Sequence, residues 1–368
     1  MIRGCVVSVL LLAACGETEG PRWPAYGTEH REAVAILDAQ GLVAARGWAR
    51  RPLFAFDREA VPDPRAGRIR EWDFYAIHTP GFSVMVTLAE IRFEQAGHFA
   101  VATVSVHDFA TRERFDGQLL LPESSDLLDL LPTSGGNYRV ESGAHFLAYE
   151  GGAGGRVIRF SLPMAEPAGA TLSGSFTIEL PDDESIALVT PWAEPGYFFY
   201  ENKVLAMPVT GAVGAGERRW EVPPGASFAI MDWVRAVVGH TIDWTWATGV
   251  GVIDGRRVGL NLGSVFGDET DGTPDAVILD GVMHKLPPVS WDTSDAEGRW
   301  RFTSDDGRVD LALVPNGYRE TQDLDLGFYK TTLDKPCGTW SGTVVLDSGE
   351  VLDVDGLLAA AERVHTEW

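Results

Sequence analysis

The chain has 368 residues, 30 of them Lys or Arg and 53 of them Asp or Glu, so its formal net charge is −23 at pH 7. An excess of acid on this scale argues against nucleic acid as a partner and against attraction to anionic lipid through a basic patch. Three cysteines are present, and only Cys337 lies beyond residue 15. We therefore expect no intrachain disulfide in the processed protein, and a stability that comes from a large core.

The first residues have the features of a bacterial export signal. Arg3 supplies a positive charge, and the mostly apolar run at residues 6–14 is shorter than the roughly 20 residues of a membrane-spanning helix. The run ends in Leu-Ala-Ala-Cys, which resembles a lipobox, so we expect residues 1–14 to be a lipoprotein signal peptide and Cys15 to be lipidated. A plain secretory signal with an incidental cysteine is the alternative. Residues 15–27 would form a polar tether, and the N-terminal lipid would hold the protein on a membrane of the cell envelope, outside the cytoplasm.

Beyond the tether, the sequence predicts an all-β fold with a short helix near each end. Apolar residues recur at helical spacing in residues 29–40 and again in residues 357–364. Between them, apolar and polar residues alternate, as in residues 172–180, and Asp-Gly pairs such as Asp280-Gly281 join strands into hairpins. A series of hairpins at this spacing predicts a meander that closes as a barrel or packs as a sandwich.

The length suggests two domains, and the strand pattern has one clear break. At residues 181–196, three prolines stand among acidic residues. We interpret this stretch as the joint between two β-domains of similar size, an N-terminal one at residues 28–195 and a C-terminal one at residues 196–368.

Short blocks spread over nearly the whole chain carry a family resemblance. In chain order they are Gly47-Trp-Ala-Arg-Arg-Pro-Leu53, Trp72-Asp-Phe-Tyr75, Tyr200-Glu-Asn-Lys203 with Met207-Pro208, Asp232-Trp-Val-Arg235, Trp244-Thr-Trp-Ala247, Gly259-Leu-Asn-Leu-Gly263 with Phe266, Asp280-Gly281 with His284-Lys285-Leu286, and Val354-Asp-Gly-Leu-Leu358. Together they resemble the bacterial family known as domain of unknown function 2804. That family is distantly similar to the AttH-like and carotenoid hydratase group. The resemblance implies two lipocalin-like antiparallel β-barrels of the calycin type side by side, and a lipid or isoprenoid ligand.

Asp232 and Arg235 are charged residues in an apolar stretch, where an unpaired charge is costly. In a dry pocket, the pKa of Asp232 would be raised, and the carboxyl could protonate a double bond as a hydratase or cyclase requires. As the partner of Arg235 or of Lys203, Asp232 would instead stay ionised and serve only the structure. Both interpretations remain open on the sequence.

Trp244 and Trp246 are two residues apart and so share one face of a strand. Their rings could stabilise a carbocation or hold a flat apolar ligand, or they could simply fill a core. Together with these two tryptophans, the candidate ligand-binding residues are Trp233, Arg235, Asn202, Lys203 and Asn261.

Common catalytic motifs are missing from the sequence: it contains no His-Glu-x-x-His, paired Cys-x-x-Cys, P-loop or dinucleotide fingerprint, and we expect no metal site and no cofactor. Three functions stay open. We favour an envelope-anchored lipoprotein that binds a hydrophobic small molecule, lipid or isoprenoid-like, in a β-barrel pocket. The alternatives are a cofactor-independent hydratase or cyclase with Asp232 as general acid, and a structural or interaction module without a ligand.

Overall fold

The structure, a computed structural model, describes residues 23–24, 26–93, 97–122, 130–133, 135–152, 154–167, 169–264 and 267–367, with residues 63, 64 and 93 described by their backbone only. The expected signal peptide, the lipidation site Cys15, most of the tether and Phe266 lie outside these residues. In the described part of the chain, none of the helices has the length and apolar character needed to cross a membrane.

Almost all of the described chain is β-structure. Within this described part, three short helical turns occur, at Arg58–Ala60, Asp63–Ala66 and Glu269–Asp271. The strands are β1 (Val34–Ala35), β2 (Gly47–Ala49), β3 (Phe54–Ala55), β4 (Ile69–His78), β5 (Phe82–Phe93), β6 (Gly97–Asp108), β7 (Arg114–Pro122), β8 (Tyr138–Ser142), β9 (His145–Gly152), β10 (Gly155–Pro163), β11 (Thr171–Glu179), β12 (Ile186–Pro191), β13 (Phe198–Ala215), β14 (Arg218–Val222), β15 (Phe228–Val237), β16 (Thr241–Ile253), β17 (Arg256–Ser264), β18 (Ala276–Leu279), β19 (Val282–Lys285), β20 (Ser290–Asp292), β21 (Trp300–Thr303), β22 (Val309–Asp325), β23 (Lys330–Val345), β24 (Val351–Asp353) and β25 (Leu358–Glu367).

The first large sheet has the strand order β7-β6-β5-β4-β15-β13-β11-β10-β9-β8, with β12 and β14 paired to β13 and β2 paired to β12. The sheet curls until β7 meets β10 and β11, where Gly117 bridges to Met164. A Cβ on Gly117 would lie only 2.8 Å from Cβ of Leu162, so this close approach requires glycine. The curled sheet encloses an apolar core that includes Val86, Phe176 and other fully buried side chains.

The second large sheet has the order β19-β18-β17-β16-β25-β23-β22-β21-β20, with β24 paired to β23. Its two end strands, β19 and β20, are joined by residues 286–289 alone, and a chain spans at most roughly 3.5 Å per residue. The ends are therefore close together, and this sheet also curls around its own core, which contains Trp300, Phe302 and Trp340. The predicted all-β fold is confirmed, and its strands form two large antiparallel sheets.

The predicted terminal helices are wrong. Within residues 29–40 the chain forms β1, which pairs in parallel with β3, and residues 357–364 lie mostly in β25. Strand β25 is hydrogen-bonded along both sides, to β16 and to β23. Pairing on two sides satisfies the backbone of this segment and outweighs the helical spacing of its apolar residues.

The change from one sheet to the other falls in a three-residue link. Strand β15 ends at Val237 in the first sheet, and β16 begins at Thr241 in the second. Strands β12, β13 and β15 lie after or within the proline-rich stretch and still belong to the first sheet. The division into domains at residue 195 stays a prediction, but it does not coincide with this change of sheet.

A buried apolar layer joins the two sheets. It includes Ala76, Met85 and Ile230 from the first sheet, with Val250 and Ile278 from the second. The functional candidates of the sequence lie beside this layer.

Candidate functional site

A cavity of about 360 Å³ lies where the two sheets face each other. Strands β4, β5, β13 and β15 supply one wall, and β16, β23 and β25 supply the other. The described lining residues are Arg70, Trp72, Phe74, Thr87, Ala89, Ile91, Phe199, Lys203, Asp232, Val238, Ile242, Trp244, Trp246, Tyr329, Lys335 and Glu362. This cavity lies between the two sheets, whereas the sequence predicted a binding pocket inside a β-barrel.

The alternation of side chains along each strand explains which residues reach the cavity. On β4, Arg70, Trp72 and Phe74 follow one another at every second position, and on β16 Trp244 and Trp246 do the same. A larger depression, about 760 Å³, lies on the outer side of β11, β13 and β14, but its lining is mainly Ser, Thr, Gly and Pro and it is an open groove.

The wall from the first sheet carries a buried ion pair. Nζ of Lys203 donates to Oδ1 of Asp232 at 2.6 Å, and the indole N–H of Trp72 donates to Oδ2 at 3.2 Å. The ammonium also lies 4.6 Å from the ring centre of Trp246. Burial lowers the pKa of Lys203, but the charges of Asp232 and Glu201 outweigh burial, so the pKa is raised above its usual value.

The wall from the second sheet carries a pair of the same kind. Nζ of Lys335 donates to Oε2 of Glu362 at 2.8 Å, and the indole N–H of Trp244 donates to Oε1 at 2.9 Å. Burial lowers the pKa of Lys335, whereas the charges of Glu362 and Glu320 raise it by more. On each wall, therefore, a lysine and a tryptophan hold one carboxylate.

Glu201 is a third carboxylate next to the first pair. Its side chain is fully buried on β13, and Oε2 lies 3.1 Å from Nζ of Lys203. Neither carboxylate oxygen of Glu201 has a hydrogen bond of good geometry in the described structure. The contact with Lys203 is therefore an ion pair without a well-aligned hydrogen bond. Burial raises the pKa of Glu201 to about 7, against the opposing charge of Lys203.

Comparison with known proteins places the chain in a family. The family model described as "Domain of unknown function (DUF2804)" matches residues 27–368. The chain belongs to the DUF2804 family. No curated protein matches it.

Two solved structures are similar to this DUF2804 chain. One is described as an AttH candidate from Nitrosomonas europaea, with a TM-score of 0.48 and 15% identity, covering 82% of this chain and 92% of that chain. The other is kievitone hydratase from Nectria haematococca, with a TM-score of 0.43 and 11% identity, covering 94% of this chain and 98% of that one. Similarities this distant carry no function over to the DUF2804 chain.

Four of the residues that the sequence singled out line the cavity of this DUF2804 protein: Lys203, Asp232, Trp244 and Trp246. Asn261 stands behind one of them, because its Oδ1 accepts a bond of 2.7 Å from the indole N–H of Trp246 and its Nδ2 donates to the carbonyl of Pro274 at 2.9 Å. Asn261 therefore positions the Trp246 ring rather than facing the cavity.

Three further candidates are not in the cavity lining. Trp233 lies on the opposite face of β15 and packs edge-on against Tyr200, with a centroid distance of 4.8 Å. Arg235 also lies on that face, where it pairs with Asp73. Asn202 is buried and accepts a bond of 2.7 Å from the hydroxyl of Ser185.

The sequence did not point to the ion pair on the second wall. Glu362 fell in a segment predicted as a helix, and Lys335 carries no local motif that would place it beside Trp244. On the first wall, Trp72 and Phe74 belong to a block used only for the family resemblance, although their spacing puts both side chains on one face. Among the described residues, no group of His, Cys, Asp and Glu side chains could hold a metal ion.

Proposed function

We propose that the protein binds a hydrophobic small molecule, lipid or isoprenoid-like, in the cavity between its two sheets. The cavity itself is the observation that carries this proposal: about 360 Å³ of space lined largely by aromatic and aliphatic side chains, with charged groups on both walls. Binding pockets commonly enclose roughly 300–1,000 Å³ and combine an apolar lining with a few placed polar groups. A purely structural module would gain nothing from leaving this space unfilled, because a void lacks packing contacts.

Acid catalysis by Asp232 finds less support in the geometry. A general acid donates a proton to its substrate, whereas both oxygens of Asp232 accept hydrogen bonds, Oδ1 from the ammonium of Lys203 at 2.6 Å and Oδ2 from the indole N–H of Trp72 at 3.2 Å. Binding without catalysis is therefore the function we favour. Turnover of an isoprenoid-like substrate that Asp232→Asn abolishes in a folded protein would reverse this preference.

Filling the cavity tests the binding proposal. Ala89 lines the cavity from β5, so Ala89→Phe should occupy the space with its ring. The full-length protein with Cys15→Ser should carry apolar molecules detectable by mass spectrometry, and Ala89→Phe should lose them while keeping the circular dichroism of the parent. Ala55→Phe, at an exposed position that is not part of the lining, is the matched control. Equal ligand content in all three proteins, or none in any, would contradict the proposal.

We further propose that lipid on Cys15 anchors the protein to a membrane of the cell envelope. The support is the Leu-Ala-Ala-Cys sequence after an apolar run. Cys15→Ser should move the protein from the membrane fraction to the soluble fraction on centrifugation. Unchanged sedimentation with membranes would refute lipid anchoring at this residue.

A further inference from the structure

Both lysines that line the cavity are paired with a carboxylate of the same wall. Lys203 and Asp232 close on each other on one wall, and Lys335 and Glu362 close on each other on the opposite wall. A third cation of the lining, Arg70, donates to the backbone carbonyls of Gly67 at 3.2 Å and Ile69 at 2.9 Å.

We infer that the cavity takes an uncharged amphiphile bearing a hydroxyl group, and that Lys335 with Glu362 forms a second polar subsite across from Lys203 with Asp232. This inference rests on the proposed binding function and specifies the chemistry of its ligand. It assigns a binding role to Lys335 and Glu362.

The complementary chemistry follows from what each pair presents. An ammonium next to a carboxylate offers a donor and an acceptor side by side, and a hydroxyl group both donates and accepts. At either pair, a ligand carboxylate would meet an ammonium that a protein carboxylate already holds at 2.6 or 2.8 Å, and it would add an uncompensated charge to that buried pair. A ligand ammonium would likewise meet a carboxylate that a lysine already holds, and would add an uncompensated positive charge.

The head group can be varied at constant chain length. Decanol, decanoate and decylammonium share one alkyl chain, and their binding to the full-length Cys15→Ser protein can be measured by isothermal titration calorimetry above pH 7, where Glu201 is mostly ionised. We expect decanol to bind at least roughly tenfold more tightly than either ion. Decanoate or decylammonium binding as tightly as decanol would overturn the inference.

Single substitutions in the second pair should switch the charge preference. Glu362→Gln keeps an oxygen for the indole N–H of Trp244 but leaves the ammonium of Lys335 without its carboxylate, so decanoate should gain at least roughly tenfold relative to decanol. Lys335→Met should instead favour decylammonium. Glu297→Gln, which removes a carboxylate from an exposed ion pair with Arg299, is the matched control and should change no ranking.

Breaking a buried pair can prevent folding, so the double variant Lys335→Met/Glu362→Gln provides a second arm. It contains no unpaired charge and should bind decanol more weakly than the parent, without a preference for either ion. The double variant with unchanged decanol affinity would overturn the role of this pair. If none of the three probes binds the parent, the proposed binding function fails; if they bind with equal affinity, only the hydroxyl inference fails.

Discussion

Two buried cations on neighbouring strands differ in their surroundings. Arg235 faces the interior of the first sheet, whereas Lys203 faces the cavity. The guanidinium of Arg235 is surrounded by acceptors at 2.7–3.1 Å, which are the carbonyls of Leu131, Val234 and Trp72 and the carboxylate of Asp73. Lys203 contacts two carboxylates and one indole ring, with open space beside them. Burial and charge are common to both residues, so only the adjoining space distinguishes a binding wall from a structural cluster.

The largest expected effect breaks the structural cluster. Arg235→Met would leave Asp73 without its cation in a fully buried position, and removing one partner of a buried pair costs about 3–5 kcal/mol. Burial already raises the pKa of Asp73 against the charge of Arg235, and without the arginine it should rise further. The loss, measured by urea denaturation, should therefore shrink as the pH falls and Asp73 takes up a proton.

Arg299→Met is the control for this prediction, because the ion pair of Arg299 with Glu297 is exposed. Its loss should change the free energy of unfolding by no more than about 0.5 kcal/mol. The folded fraction of Arg235→Met should keep the ligand content of the parent, since Arg235 does not line the cavity. Loss of ligand from a folded Arg235→Met protein would erase the distinction between the two regions.

A smaller effect concerns how the free energy of unfolding depends on pH through Glu201, which lies beside Lys203 of the cavity wall. The pKa of Glu201 is raised from 4.5 to about 7, so between these values the folded state binds more protons than the unfolded state. Stability from this group is therefore present at low pH and falls as the pH rises, with a slope of at most about 1.4 kcal/mol per pH unit. Glu201→Gln should remove the contribution of this group and so reduce the slope of the free energy of unfolding against pH across the interval.

Burial also raises the pKa of Asp275 to about 7 and raises the pKa of Glu71 and Asp73, so a part of the slope should persist in Glu201→Gln and should fall further when Asp275→Asn is added. Glu297→Gln, at an exposed position, is the control and should show the same dependence of the free energy of unfolding on pH as the parent. An unchanged profile in Glu201→Gln would mean that Glu201 stays ionised beside Lys203 across the whole interval.

The sequence predicted what local signals determine. Asp254-Gly255 and Asp280-Gly281 have positive φ at both residues, as a tight two-residue hairpin turn requires. Asp-Gly pairs favour this turn, so the sequence alone predicted hairpins at such positions. Trp244 and Trp246 were placed correctly on one face because the period of a strand is two. The position of Glu362 was not predicted, because its partners Lys335 and Trp244 are distant in sequence. The strand that carries Glu362 forms through pairing with β16 and β23, which no local signal indicates.

The alternation within β15 shows the same limit at the level of single residues. Asp232 and Trp233 are adjacent and so must face opposite sides, but the sequence cannot say which side is the interior and which is the cavity. The answer depends on how the second sheet packs against β15. That packing is set by contacts such as the ring of Phe74 against Trp246, at a centroid distance of 5.9 Å.

The smallest expected effect compares the two walls of the cavity directly. Trp72→Phe and Trp244→Phe each keep an aromatic ring and remove the indole N–H from a buried carboxylate, so each should lower the free energy of unfolding by about 1–3 kcal/mol beyond the lost ring contacts. Trp291→Phe calibrates those contacts, because the indole N–H of Trp291 has no hydrogen-bond acceptor among the described residues.

Measured by urea denaturation against this reference, the two variants should lose similar amounts, because each carboxylate keeps its lysine. The bond on the second wall is shorter, 2.9 Å against 3.2 Å, so Trp244→Phe should be the more costly of the two. If neither variant loses more than Trp291→Phe, the indoles only fill space, and the lysines alone hold the two carboxylates at the cavity.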